Sequence, residues 1–249
     1  LEPMFERRFI EASYACRTGK GVHLAMRDAR AAARRFPFFL RLDFEKYFDS
    51  VRHEVLLDLV SEVVPDEGIR WLSELLLREA RVPGVGDGER RGLPIGNLTS
   101  QFWANVYLDA LDHVVGGLTP VEAYLRYMDD LLLFAESKPA LWEAVQGIME
   151  FAEGRLHLKL KRRATMVAPV TEGVPWLGFR IYPGTVRLDH RSKIRFYRRV
   201  RASMGAAVEA PWDEDGQVSR AASLCGHVAH ADTRALRRDV VLRYLSGGA

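Results

Sequence analysis

The order of the predicted elements indicates an α+β fold, in which an antiparallel sheet is flanked by helices. A strand candidate lies at residues 38–44, and two more, residues 123–128 and 131–134, follow only after a long helical stretch. Strands that alternated with single helices would instead predict a parallel sheet. The chain has 249 residues and is 48% hydrophobic, which is enough to bury a core in one or two domains.

The first part of the chain is predicted to be helical around this single strand. Helices are expected over residues 2–10 and 22–35, and the glycine-containing stretch 17–21 forms the turn between them. After the strand, Asp49 and Ser50 are the predicted N-caps of a helix with apolar residues along one side.

Periodicity and turn residues place the remaining elements. Helices are predicted over residues 69–79 and 140–153, and over residues 98–115 with Asn97 as the cap; the glycine-rich stretch 83–92 is a loop or hairpin. The two strands of residues 123–134 follow the 98–115 helix.

The C-terminal part is basic. Short strands are predicted within residues 165–182, and helices over 193–208 and 219–245. Residues 155–204 contain thirteen Lys or Arg and two acids, interleaved with aromatic residues. This excess favours a polyanion as partner, although a solvated basic face would have the same composition.

Composition also excludes several classes of protein. No apolar run is long enough to cross a bilayer and no secretory signal opens the chain, so a soluble, cytoplasmic protein is expected. Cys16 and Cys225 do not suggest a disulfide framework, and Cys225-x-His227-x-x-His230 lacks a fourth zinc ligand. Because the chain begins with Leu1, we expect it to be a trimmed piece.

Three acids are the strongest chemical signal. Asp129 and Asp130 lie at the predicted hairpin between apolar runs, and Asp43 follows the first strand. If these strands are neighbours, three carboxylates meet, and two bare carboxylates about 4 Å apart repel by roughly 4 kcal/mol at an effective dielectric near 20. Oxygen ligands of this kind favour one or two Mg²⁺ or Mn²⁺ ions. An ordinary turn that contains Asp is the alternative.

Five stretches resemble successive motifs of reverse transcriptases, in the family's order. They are LRLDFEKYFDSV (residues 40–51), RGLPIGNLTSQFWANVYLDALD (91–112), YLRYMDDLLLF (124–134), LHLKLKRRATMVAP (156–169) and VPWLGFRIYP (174–183). The resemblance implies a right-hand polymerase core. Its partial fingers would be residues 1–37, its palm residues 38–185 with finger helices at about 55–92, and its short helical thumb residues 186–249.

The resemblance also assigns roles to residues. The catalytic, metal-binding acids would be Asp43, Asp129 and Asp130, with the carbonyl of Phe44 completing the ligands of two Mg²⁺ ions, or of Mn²⁺. The residues implied to bind the dNTP are Phe48, which would exclude a 2′-hydroxyl, Pro94, Ile95 and Gly96. Arg17 and Lys20, on a glycine-containing loop, are further candidates for phosphate contact, and a solvated loop is the favoured alternative.

Template and primer contacts are implied for a larger set. Trp176-Leu177-Gly178 matches the primer grip, and basic side chains would hold the nucleic-acid backbone or neutralise the leaving pyrophosphate. The full set is Gln101, Tyr127, Met128, Lys161, Arg163, Trp176, Leu177, Gly178, Arg195, Arg198 and Arg199.

The second motif departs from the common pattern. Ile95 and Gln101 stand where most reverse transcriptases have Gln and Pro. This variant, with SYACRTGKGVH at residues 13–23, resembles the enzymes of diversity-generating retroelements, which copy a template RNA with errors at adenines and use a small basic accessory protein. The alternative is a group II intron-like or defence-associated enzyme, the latter protein-primed or template-independent. A scaffold that binds nucleic acid without catalysis is a further alternative.

Overall fold

The computed structural model describes residues 1–79, 90–94, 98–118, 121–209 and 214–245. The chain divides into two compact units, Leu1–Pro169 and Val170–Ala249. The predicted loop at 83–92 and the predicted cap Asn97 lie wholly or mostly outside the described residues. The predicted domain boundaries stay predictions.

The first unit is largely helical, as the sequence predicts. Its helices are α1 (Glu2–Glu6), α2 (Val22–Arg35), α3 (Tyr47–Ser50), α4 (His53–Val63), α5 (Glu67–Glu79), α6 (Leu98–Gly117) and α7 (Lys138–Gly154). Helix α2 has the predicted bounds, whereas α1 ends four residues early. In α7, Ser137 accepts a hydrogen bond from the Ala140 amide and thereby caps the helix.

The predicted caps of α4 are wrong. Asp49 and Ser50 belong to the short helix α3, and the Ser50 hydroxyl donates to the carbonyls of Glu45 and Lys46. Helix α4 starts after Arg52, which makes no side-chain cap bond. A capping residue and a residue that bonds back to the preceding turn have the same sequence signature, because Ser and Asp do both.

Four antiparallel strands form the sheet of the first unit, which confirms the predicted fold class. In spatial order they are β2 (Ala123–Tyr127), β3 (Asp130–Ala135), β1 (Phe38–Leu42) and β4 (Met166–Pro169). The register pairs Leu42 with Leu131 and Tyr127 with Asp130. The end of β1 therefore lies beside the turn between β2 and β3.

The sheet is covered on both faces. Helix α7 packs against β1, β3 and β4, and α2 packs against β2 and β3. Leu131, Leu132, Leu133 and Phe134 are consequently all buried, although alternate residues of a strand point to opposite faces. This explains the continuous apolar run after the paired acids.

The second unit has a small antiparallel sheet and three helices. Its strands are β5 (Val174–Trp176), β6 (Phe179–Ile181) and β7 (Val186–Leu188), and its helices are α8 (His190–Glu209), α9 (Glu214–Val228) and α10 (Arg234–Leu245). The single helix predicted over residues 219–245 is wrong. The chain turns between α9 and α10, where the Thr233 hydroxyl donates to the carbonyls of Val228 and Ala231.

Among the described residues, no helix is both long and apolar enough to cross a membrane.

Candidate active site

A two-residue hairpin presents Asp129 at the end of the sheet. Tyr127 pairs with Asp130, so Met128 and Asp129 form the turn between β2 and β3. Met128 has a φ of 53°, the positive angle that the first position of a type II′ turn requires. The pairing of the two strands therefore places the acidic side chain of Asp129 at this end of the sheet.

Asp43 lies at the same end of the sheet, directly after β1. It directly follows Leu42, whose partner Leu131 is next to Asp130. Burial raises the pKa of Asp129, and the neighbouring charges of Asp43 and Asp130 raise it further, while the Asp129 backbone amide and Lys161 oppose the shift. The three acids therefore form one electrostatic cluster.

Two basic side chains pair with Asp130 and Asp43 in this cluster. The Arg41 guanidinium binds Asp130 through two hydrogen bonds, Nε to Oδ1 and Nη2 to Oδ2, each 2.9 Å long. Lys161 Nζ lies 3.2 Å from Asp43 Oδ2. Sequence inspection missed the Arg41 pairing because the flanks of Asp129 and Asp130 are not basic. The cation comes from the neighbouring strand, two residues before Asp43 and on the same face of the sheet.

The donor set fits a hard divalent cation in part. Among the described residues, no group of three or more Asp, Glu, His or Cys side chains is arranged to hold a metal ion. Asp43 and Asp129 are still oxygen donors beside each other, which is the chemistry that Mg²⁺ and Mn²⁺ prefer. Asp130, predicted as a more peripheral ligand, accepts two hydrogen bonds from Arg41, and its role as a ligand stays a prediction. Phe44 forms a backbone bridge with Leu160, and its ring is buried.

The predicted dNTP residues Phe48 and Pro94 lie close to each other. The Phe48 ring is half-buried and meets Tyr47 edge-on, with the ring centroids 5.6 Å apart. The Leu93 amide donates to the Phe48 carbonyl at 2.8 Å, which places Pro94 one residue from this contact. Ile95 and Gly96 lie outside the described residues.

The loop cations have roles within the chain. Arg17 is only 5% exposed in its side chain, and its guanidinium donates to Glu6 and to the carbonyls of Ile10 and Ser13. Lys20 binds the carboxylate and the carbonyl of Glu11. The Arg17 donors are thus buried and bound within the chain, and Lys20 has a local partner; the phosphate contacts of both residues stay predictions.

Several predicted template and primer residues lie at the surface of the first unit. Gln101 is exposed in the first turn of α6 and accepts a hydrogen bond from Cys16 Sγ at 3.1 Å. Burial, and to a lesser extent Cys16, raise the pKa of Tyr127, so this tyrosine lies near the same cysteine. Met128 is half-buried, and Arg163 is exposed.

In the second unit, the predicted primer grip is a two-residue turn. Leu177 and Gly178 both have positive φ, as in a type I′ turn between paired Trp176 and Phe179. The Trp176 ring is buried, with an exposed fraction of 1%, and the primer contact of this turn stays a prediction. Arg195, Arg198 and Arg199 are exposed on α8.

Comparisons with known proteins identify relatives of the chain. A family model described as "Reverse transcriptase (RNA-dependent DNA polymerase)" matches residues 1–181. Protein YkfC of Escherichia coli (strain K12) is 25% identical, over 73% of this chain and 58% of that protein. Nuclear intron maturase 3, mitochondrial, of Arabidopsis thaliana is 26% identical, over 72% of this chain and 29% of the maturase. The chain thus spans less than two thirds of the length of each of these two relatives.

A solved structure shares the fold. Apo telomerase from Candida tropicalis, truncated from its C-terminal domain, superposes with a TM-score of 0.55 at 12% identity, over 72% of this chain and 41% of that chain. At this identity the similarity shows the fold alone. It agrees with the polymerase core that the sequence motifs imply.

Proposed function

Because the chain belongs to the reverse transcriptase (RNA-dependent DNA polymerase) family, we propose that it extends a primer with dNTPs on an RNA template. The observation that carries the proposal is the meeting of Asp43 and Asp129 at one end of the antiparallel sheet. In the reaction, the primer 3′-hydroxyl attacks the α-phosphate of a dNTP, a new phosphodiester bond forms, and pyrophosphate leaves.

The residues at this end of the sheet have distinct roles in the mechanism. Asp43 and Asp129 would hold divalent ions, which supply charge neutralisation for the phosphates and activation of the hydroxyl. Arg41 keeps Asp130 fixed and partly offsets the negative charge of the cluster. Lys161, which pairs with Asp43, would donate to a phosphate oxygen of the substrate or of the leaving pyrophosphate.

Phe48 and the basic helix α8 would select and hold the substrates. A ring at Phe48 leaves no volume for a 2′-hydroxyl if the sugar lies against it, so dNTPs would be preferred. Arg195, Arg198 and Arg199 offer exposed charges for the backbone of the template–primer duplex. Template RNA, primer and dNTPs are therefore the proposed partners.

We propose that the enzyme is of the group II intron type. Two relatives are named nuclear intron maturases, 3 and 4, and two others are named as a protein in the cob intron and a putative COX1/OXI3 intron 2 protein. The similarity to these proteins supports an intron-type polymerase over a template-independent, defence-associated enzyme.

A second candidate is the polymerase of a diversity-generating retroelement, aided by a small basic accessory protein. The observation that favours it is Ile95 and Gln101 in the second motif. Ile cannot make the hydrogen bonds of an amide beside the nascent base pair, and lost polar contacts weaken discrimination. The substitution Ile95→Gln should then lower misincorporation opposite template adenine. An unchanged error spectrum in sequenced cDNA would favour the intron-type enzyme.

Primer extension tests the proposed activity. Wild-type protein is incubated with a DNA primer on an RNA template, dNTPs and Mg²⁺ or Mn²⁺, and the products are resolved by length. We expect extension that requires the template and is abolished in Asp129→Ala, with Glu143→Gln on the exposed side of α7 as the matched control. Product without template, or equal product from Asp129→Ala, would contradict the proposal.

A further inference from the structure

Arg126 is a fully buried cation directly behind the acidic turn. It lies on β2, one residue before Tyr127, and its exposed fraction is 0%. Its guanidinium donates to both carboxylate oxygens of Asp112 on α6, from Nε at 2.7 Å and from Nη2 at 2.5 Å. This bidentate pair fixes the plane of the guanidinium.

The remaining donors of Arg126 connect three segments of the chain. Nη1 donates to Asn105 Oδ1 at 3.0 Å, and Nη2 donates to Ser13 Oγ at 3.1 Å. The backbone of Arg126 is held as well, because its amide donates to the Ala12 carbonyl and its carbonyl accepts from the Tyr14 amide. Helix α6, residues 12–14 and strand β2 are therefore all connected through Arg126.

One contact of this side chain reaches the active site. Arg126 Nη1 also donates to the carbonyl of Met128 at 3.1 Å. Met128 is the residue with positive φ in the hairpin turn, and its carbonyl belongs to the peptide bond that leads into Asp129. Constraining that carbonyl restricts the rotation of the peptide unit and hence the direction in which the Asp129 side chain leaves the backbone.

Stability alone is a weak reason for such an arrangement. The desolvation of a buried ion pair largely offsets its attraction, and well-packed apolar residues of similar volume are often as stable. An arginine whose donors are divided between an anchoring carboxylate and the carbonyl of a catalytic turn instead suits a role in geometry.

We propose that Arg126 is a positioning residue for the reaction: anchored by Asp112, it holds the Met128 carbonyl and thereby sets the position of the Asp129 carboxylate. Arg126 does not touch the substrate. The inference rests on the proposed function, since it concerns the polymerase chemistry of Asp129.

Kinetics of two variants test this role. Arg126→Lys keeps the charge beside Asp112 but cannot reach Asp112 and the turn with a planar fork. Tyr124→Phe is the matched control, because it removes a 2.6 Å hydrogen bond to Asp112 Oδ1 and leaves the contact with Met128 intact. We expect Arg126→Lys to lower kcat at least about tenfold with the KM for dNTP within about twofold, as for small misplacements of catalytic groups. Tyr124→Phe should keep kcat within about twofold.

Two further measurements separate positioning from folding and from the proposed function. If kcat falls only in proportion to the folded fraction in thermal denaturation, or falls equally in Tyr124→Phe, the positioning role is overturned. Hydrogen–deuterium exchange of the β2–β3 hairpin needs no catalysis: we expect faster exchange around residues 127–131 in Arg126→Lys and not in Tyr124→Phe. Unchanged exchange overturns the inference, whereas absence of extension by the wild type counts against the proposed function.

Discussion

Asp129 lies at a position that disfavours its own charge. Burial raises its pKa above the ordinary value of 3.8, and the carboxylates of Asp43 and Asp130 add to this effect. The folded chain therefore binds this proton more tightly than the unfolded chain does. Stability is accordingly lost as the pH rises from the unfolded pKa through the folded pKa of this carboxyl.

Replacing Asp129 should separate stability from activity. We expect Asp129→Asn to raise the midpoint of thermal unfolding at pH 7, and a rise of about 2–4 °C would correspond to about 1 kcal/mol in a chain of this size. The gain should shrink as the pH is lowered and the wild-type carboxyl becomes protonated. Extension should be abolished.

Differential scanning calorimetry at several pH values, without divalent ions, measures this effect. Glu143→Gln, on the exposed side of α7, serves as the control and should leave the midpoint unchanged. A lower midpoint for Asp129→Asn at pH 7 would show that the cluster does not strain the fold.

At this scale the sequence predicted the acids but not their partners. Asp43 and Asp129 are recognisable from the motifs around them, and the structure brings them together. The pairing of Arg41 with Asp130 depends on strand register, which fixes the face that each residue shares. The burial of Arg17 was not predictable, because the sequence of a glycine-containing loop does not show whether its basic residue faces solvent or is buried against Glu6.

At the scale of the elements, the type I′ turn between β5 and β6 is tightly packed as well as left-handed. Gly178 has a φ of +84°, and a Cβ at this position would lie 2.6 Å from Ser192 Oγ on α8. The Asp189 amide also donates to the Gly178 carbonyl at 3.1 Å. The turn is thereby held against the start of α8, within the second unit.

An alanine at this turn should destabilise the protein. We expect Gly178→Ala to lower the free energy of unfolding by about 1–2 kcal/mol, because the residue would carry a side chain at positive φ and displace Ser192. Chemical denaturation monitored by circular dichroism measures the change. Gly184→Ala, where a Cβ meets nothing within 4 Å, should change the free energy by less than about 0.5 kcal/mol. Equal effects of the two substitutions would contradict this account.

Helices and strands with strongly periodic apolar residues were predictable from the sequence, whereas the breaks between helices were not. The hairpin of β2 and β3 and the helix α2 follow from their apolar spacing. The break between α9 and α10 follows from hydrogen bonds of the Thr233 side chain, which helical periodicity does not register. Likewise, the capping of α4 could not be distinguished from the local bonding of Ser50.

At the scale of the whole molecule, the charge is unevenly distributed along the chain. The net charge is only +3, yet the α8 helix presents Arg195, Arg198 and Arg199 at its surface. Each phosphate contact by such a residue releases a counterion, so binding to nucleic acid should weaken steeply with salt.

Removing two of these charges should flatten the salt dependence. We expect Arg195→Ala combined with Arg198→Ala to reduce the slope of log K against log salt by about 2 for an RNA–DNA duplex. Fluorescence anisotropy at several salt concentrations measures the slope. The matched control is Arg234→Ala with Arg238→Ala, two exposed arginines on α10, which should leave the slope nearly unchanged. Equal slopes for both double variants would indicate a general charge effect.

The hydrogen bonds between residues 12–14 and β2 have a consequence for self-association. An outer strand with free amides and carbonyls is a template onto which another polypeptide can add, and this is a common route to aggregation. The backbone amide and carbonyl of Arg126 on β2 would otherwise offer such a template, but they are bonded to the Ala12 carbonyl and the Tyr14 amide. Proteolysis that released the first fourteen residues would therefore be expected to leave a protein prone to form β-rich aggregates.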